Sequence, residues 1–197
     1  MTKEDAIAAM RNFMAECVPF SKGEWDRVQP LHEVKILEKN ELLLRQGEIC
    51  TTLAFVVSGA LCQFRTEDVD PYAYDFSFEA DYAVDFASFA GQKPSTIGIR
   101  ALRTSVLVCI SKKNLDAAYK VSPAFQEFGR LMAERALVYD DDRVKSLLYD
   151  TPEERYLNLM ERDPELLQEI PLYSIASYLG IRPESLSRVR ANLNKKK

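Results

Sequence analysis

Apolar positions recur at changing periods along this chain, and each change marks a new part. Near the N-terminus Ile7, Met10, Met14 and Cys17 lie three and four residues apart, the spacing of one buried helix face, with Thr2 as its cap. A short second helix is expected from Ser21, where Glu24 three residues on completes a capping box. From about residue 32 the period falls to two. Val34 and Ile36 alternate with their neighbours, as do Ala60, Cys62 and Phe64, and then Tyr72, Tyr74, Phe76 and Phe78. Turn signals separate the runs at Lys39-Asn40, Gln46-Gly47, Ser58-Gly59, Glu67-Asp68 and Gly91-Gln92-Lys93-Pro94. Short strands at this spacing predict an antiparallel barrel or sandwich, closed by "SVLVCI" at 105–110.

The helical period returns after Ser111. Beyond Pro123 it runs from Ala124 to about Leu148 through Phe125, Phe128, Leu131, Met132, Val138, Val144, Leu147 and Leu148. A helix of about 25 residues is ~37 Å long, more than a compact domain usually needs. Its wide apolar face suits packing on the barrel and pairing with a second copy of itself, with Asp140, Asp141 and Asp142 on a solvated side. "YDTPEERY" then opens a new helix, with Thr151 as N-cap, Pro152 first and Glu154 third. The fold class is therefore α+β. An antiparallel β-roll with N-terminal helices spans 1–122, a long connecting and dimerisation helix 123–150, and a small all-helical domain 151–197.

Composition narrows the possibilities. No run approaches the roughly 18 apolar residues of a membrane span, and the N-terminus shows no signal-peptide pattern, so a cytoplasmic protein with no membrane partner is expected. Four scattered cysteines and one histidine give no metal spacing. Cys62 and Cys109 read as buried thiols and His32 as an ordinary strand residue. No nucleophile–base arrangement or phosphate-cradling glycine loop is present, so an enzyme is not expected. The net charge of −4 conceals a split: residues 171–197 carry six Lys and Arg against one acidic side chain. Cation gathered in one terminal segment is the usual footprint of a nucleic-acid contact.

That segment reads "SIASYLGIRPESLSRVRANL". A helix-turn-helix needs a small residue where its two helices cross, and Ala176 stands there. Four residues on, the chain must turn sharply, and Gly180 tolerates the positive φ this requires. Ile175, Leu179, Ile181, Leu186 and Val189 complete a small core, and Pro183 is pre-shaped for helix entry. Glu184, Ser185, Ser187, Arg188 and Asn192 are left pointing outward, the types that reach base edges. Arg182, Arg190, Lys195, Lys196 and Lys197 would attract the phosphate backbone. Arg182 falls at the N-cap, where arginine cannot cap; a phosphate at that helix end would offset the loss.

This order of parts resembles the CRP/FNR family of transcription regulators. "LLLRQGEICTTLAFVVSGALCQF" looks like that family's cyclic-nucleotide-binding roll, with Gly47 and Gly59 at its turns. "ERYLNLMERDPELLQEIPLYSIASYLGIRPESLSRVR" is similar to the C-terminal domain of the subgroup common in Bacteroidetes. The resemblance implies a homodimer through the long helix, a two-fold symmetric double-stranded DNA site and RNA polymerase as a further partner. Glu184 and Arg188 match the family's base-reading positions; Arg182 replaces its usual threonine or serine.

The resemblance also implies an effector site in the roll, around Phe76, Asp85, Phe86, Ser95 and Thr96. The family's phosphate cassette carries glycine-glutamate-leucine and then an arginine. Here Val84, Asp85 and Phe86 stand for the first three, and Ser95 stands in the arginine's place, followed by Thr96. A buried phosphate without its arginine loses a charge-assisted pair, which only Lys93 or Arg100 could replace. Cyclic AMP is therefore not expected as ligand; no cofactor is expected beyond an unidentified small effector, which could exploit Phe76, Phe78, Tyr82, Phe86 and Phe89. The alternative reading is a cyclic-nucleotide-type sensor acting through protein contacts, with a vestigial DNA-binding tail.

Overall fold

Most helices start where a side chain takes over an unpaired backbone N–H. In the computed structural model, which describes residues 1–67, 70–162, 164 and 170–195, Thr2 and Asp5 form a reciprocal capping box at the head of α1 (Lys3–Cys17). Ser21 and Glu24 do the same for α2 (Lys22–Val28), which runs through a 3₁₀ turn into the first strand. Glu24 reaches further. Its carboxylate accepts from the Ser21 hydroxyl at 2.7 Å and, through its other oxygen, from the Ser122 hydroxyl and the Ala124 N–H, both at 3.1 Å. One side chain thus ties the start of α2 to the start of the long helix. Those hydrogen bonds hold its carboxyl at about 2, well under its ordinary 4.5.

The period-two segments form β1 (His32–Leu37), β2 (Leu42–Leu44), β3 (Thr52–Ser58), β4 (Leu61–Glu67), β5 (Asp70–Ser77), β6 (Tyr82–Ala83), β7 (Gly98–Ala101) and β8 (Ser105–Ser111), with a short helix, α3 (Phe86–Gly91), after β6. They make two antiparallel sheets, ordered β1-β8-β3-β6 and β2-β7-β4-β5. Gly59, at φ +103, makes the turn between β3 and β4; any side chain there would overlap Ser105, whose hydroxyl accepts from the Ala60 N–H at 3.1 Å.

Ala54, Val56, Leu61, Ile99, Ala101, Leu107 and Cys109 belong to the roll core. α1, α2, α4 (Lys112–Val121) and the start of α5 (Pro123–Tyr149) cover the β1-β8-β3-β6 sheet, where Phe13 meets Phe55 and Phe128, and Phe125 meets Phe20 and His32. His32 is buried there with its Nδ1 3.0 Å from the Val28 carbonyl, and desolvation lowers its pKa. The thiols of Cys62 and Cys109 are buried and pushed up to about 12.

The tyrosine run departs from simple alternation. The register between β4 and β5 shifts at Gln63/Phe64, so Cys62 faces Phe76 while Phe64 faces Ala73. This bulge leaves Tyr72 and Tyr74 exposed and turns Ala73 and Phe76 inward. They turn into a second cluster, which joins the outer face of this sheet to the C-terminal helices. Those helices are α6 (Pro152–Arg162), α7 (Leu172–Tyr178) and α8 (Pro183–Lys195). Among the described residues no helix is long and apolar enough to cross a membrane.

Candidate nucleic-acid interface and effector groove

The C-terminal unit is built around one turn. Thr151 and Glu154 cap α6 reciprocally, the Glu154 carboxylate accepting from the Thr151 N–H at 2.7 Å. α7 ends in a Schellman motif. The Ile181 N–H donates to the Ala176 carbonyl and the Gly180 N–H to that of Ser177, both at 3.0 Å. Gly180 has φ +66, as this motif requires. The turn swings α8 across α7, and Ala176, Ile175, Leu179 and Leu186 become fully enclosed. A larger residue at 176 would hold the helices apart.

The opposite face of α8 is open. Arg182, Glu184, Ser187, Arg188 and Asn192 are exposed; Ser185 and Arg190 are half-buried. Lys195 closes the helix, but its side chain, like residues 196 and 197, lies outside the described residues. The Arg182 carbonyl accepts from the Ser185 and Leu186 N–H groups at 3.0 and 3.1 Å, so Arg182 occupies the N-cap position. A guanidinium has no acceptor to offer there. Of the residues expected to read DNA, Arg182, Glu184, Ser187 and Arg188 therefore come together as accessible side chains at the start and along the open face of α8, with Ser185 and Arg190 partly covered.

The residues expected in an effector pocket do not. A groove of about 590 Å³ runs between α5 and the roll, and of the five only Phe76 and Phe86 line it. Phe86 is 60% exposed, whereas Phe76 also packs on Tyr178 of α7 at 5.1 Å between ring centroids. Of the five aromatics expected to serve an effector, Phe76, Tyr82, Phe86 and Phe89 line this groove and Phe78 does not; Phe78 shares a cluster with Phe76, while Tyr82 and Phe89 also pack with the roll core. Ser95 is buried, with its hydroxyl 2.5 Å from an Asp85 carboxylate oxygen and 2.7 Å from the Ile97 carbonyl, so its single proton is donated to one or other of these acceptors. Asp85 also caps α3, accepting from the Ser88 N–H at 3.2 Å. Thr96 is exposed. The two polar positions of the cassette thus satisfy each other.

Neither spare cation takes the missing arginine's place. Lys93 is exposed. Arg100 pairs in register with Cys62, on the sheet face opposite Ile99 and Ala101, and its guanidinium lies 5.0 Å from the Phe64 ring centroid. Its Nε is buried without a hydrogen-bond partner. Arg100 therefore points away from the roll interior, which could not be read from the sequence.

The sequence also missed how the reading unit is held. The free N–H of Ala73, on edge strand β5, donates to the Ser177 hydroxyl at 3.0 Å. From α5 the Tyr139 hydroxyl donates to Asp75 at 2.8 Å and stands 3.4 Å from that of Tyr178. Contacts between residues some 40 to 100 positions apart leave no local periodicity to detect.

This combination of a roll, a long helix and a helix-turn-helix defines a class. Residues 34–122 match the sequence model of the family described as "Cyclic nucleotide-binding domain". The fold is that of solved CRP/FNR-type regulators. FixK2 from Bradyrhizobium japonicum aligns with a TM-score of 0.68 at 17% identity, over 84% of this chain and 85% of that one. A transcriptional regulator of the crp/fnr family from Eubacterium rectale gives 0.67 at 14% identity, over 90% and 85%. The c-di-GMP responsive regulator CLP of Xanthomonas campestris gives 0.64 at 16% identity, over 89% and 93%. No curated protein matches the chain at the sequence level.

Proposed function

We propose that this protein is a dimeric, sequence-specific DNA-binding transcription regulator whose roll does not take cyclic AMP. The observation that carries the reading is the open face of α8, with Glu184, Ser187 and Arg188 accessible above the enclosed Ala176 and Leu186. Arg188 would read a base edge in the major groove, and Arg182 and Arg190 would hold phosphates. The exposed Leu137, Val144 and Leu148 of α5, seven and four residues apart on one side of the helix, support dimerisation along the long helix, since a second copy would cover them. Two such heads would read a two-fold symmetric site.

The case against cyclic AMP rests on the cassette. Ser95 spends its hydroxyl on Asp85 and Ile97, and Arg100 lies on the other side of the sheet. An effector in this roll would instead meet the largely apolar groove that Phe76, Phe86 and Tyr139 line.

The test is selection of duplexes from a random pool at low salt. A two-fold symmetric consensus should emerge, and binding should weaken linearly in log affinity against log salt. Retention of no duplex would defeat the reading and leave a sensor that works through protein contacts. Cyclic AMP at a hundredfold excess over a micromolar constant should leave the melting temperature unchanged, whereas a true ligand adds ~2.7 kcal/mol at that ratio.

A further inference from the structure

We propose that Arg155 and Arg143 are positioning residues that fix the reading head on the long helix and so set the half-site spacing of the DNA site. This rests on the DNA-reading proposal above. Arg155, in the first turns of α6, is only 9% exposed, yet among the described residues it faces no carboxylate. The N–H groups of its Nε and Nη1 go to main-chain carbonyls. Nε donates to Leu179 at 2.9 Å, and Nη1 donates to Asp150 at 2.6 Å and Ser146 at 3.3 Å. Two of these carbonyls belong to the C-terminal end of α5 and one to the C-terminal end of α7. Carbonyls at a helix C-terminal end carry the negative end of the helix dipole, and the one at Ser146 already accepts from the Asp150 N–H at 3.1 Å.

Arg143 grips the same end of α7 from the other side. It projects from α5, lies 3.9 Å from the Tyr178 ring centroid and donates to the Tyr178 carbonyl. Adjacent carbonyls at 178 and 179 are thus held by two arginines, one from the long helix and one from the helix that follows it. Beside them Leu147 stands against Gly180, the pivot of the turn. A planar fork can bridge carbonyls from two helices at once; an ammonium on a flexible stem cannot fix their relative direction.

The geometric consequence follows from the hinge. Between α5 and α6 the chain passes through Asp150 and Thr151 alone, so, with α7 resting on β5 through Ser177 and Tyr178, the clamp limits how far the head can pivot about these residues. In a two-fold dimer along α5, that pivot decides how far each α8 lies from the dyad. Shifting a half-site by one base pair rotates it by roughly 35° and moves it ~3.4 Å. A clamped head should refuse this shift and a loosened head should accept it.

The experiment compares wild type with Arg155→Lys, Arg155→Met and Arg143→Leu on the selected site and on versions with the half-sites one base pair closer or farther. Wild type should prefer its own spacing by about tenfold or more, within the usual range for a site defect. Arg155→Lys and Arg143→Leu should flatten that preference to about threefold or less, keeping the base preferences within each half-site and the melting temperature of the roll. A merely structural role would lower binding to every spacing alike. Retention of wild-type spacing preference by both Arg155→Lys and Arg143→Leu overturns the proposal, whatever Arg155→Met does to folding. Failure of wild type to bind any duplex would instead strike the DNA-reading proposal itself.

Discussion

Leu186 offers the hardest test of the reading head's packing. It is fully enclosed, in one cluster with Leu159, Ile175, Ala176 and Leu179. Leu186→Ala removes three carbons, which at ~0.8 kcal/mol each is ~2.4 kcal/mol of transfer free energy before any cavity is counted. The walls of the site are α6 and α7, tied by Arg155 and by the Gly180 turn, so they can collapse only partly. Adding a cavity contribution gives ~3–4 kcal/mol, inside the ~2–5 kcal/mol span for buried Leu→Ala changes. Leu186→Met nearly keeps the volume and should cost under ~1.5 kcal/mol. Native-state hydrogen exchange is the suitable assay, because it follows the amides of α7 and α8 apart from those of the roll. Their protection should fall by about 140- to 700-fold in Leu186→Ala, taking ~1.4 kcal/mol per factor of ten. A loss below ~1 kcal/mol would mean that Leu186 is not enclosed, and the orientation assigned to α8 would be wrong.

Three further outcomes follow from the same geometry. Gly180→Ala should weaken protection of α7 and α8 by ~1–2 kcal/mol, since a left-handed residue bearing a Cβ is strained and that Cβ would press on Leu147 at 3.1 Å; Gly180→Asn should cost less in the same assay. Glu24 stays ionised in the folded protein down to about 2, whereas the unfolded chain titrates near 4.5; its stabilisation is complete above 4.5 and lost as pH falls towards 2. Glu24→Gln should therefore flatten the acid side of a stability–pH curve measured by urea unfolding, and an unchanged slope would deny the link between α2 and α5. A thiol reagent should label Cys17 alone in the native protein, because Cys50, Cys62 and Cys109 are buried and their thiols are held above the ordinary value; rapid native labelling of Cys62 would contradict its place under the reading head.

Much of this was legible along the chain because its physics is local. The caps at Thr2, Ser21 and Thr151 each need only a side chain and an N–H three residues away. The Ala176-Gly180-Leu186 spacing specifies a turn and a crossing within about ten residues. What was not legible depends on partners distant in sequence. The bulge in β5 brings Phe76, which lines the groove, into contact with Tyr178 as well, because register is a property of two strands and not of one. The side taken by Arg100 follows from its pairing with Cys62, and the engagement of Arg155 with Leu179 spans 24 residues. Neither leaves a periodic trace.

The accessible face of α8 is the foundation of the functional account, and Arg188→Ala probes it most directly. Affinity for the selected duplex should be measured for wild type and Arg188→Ala at one matched salt concentration, with every base of one half-site varied in turn. The account predicts a loss of ~1–3 kcal/mol on the selected site, with discrimination relaxed at a single base position and retained elsewhere. Equal affinity and unchanged base preferences in the two proteins would contradict it.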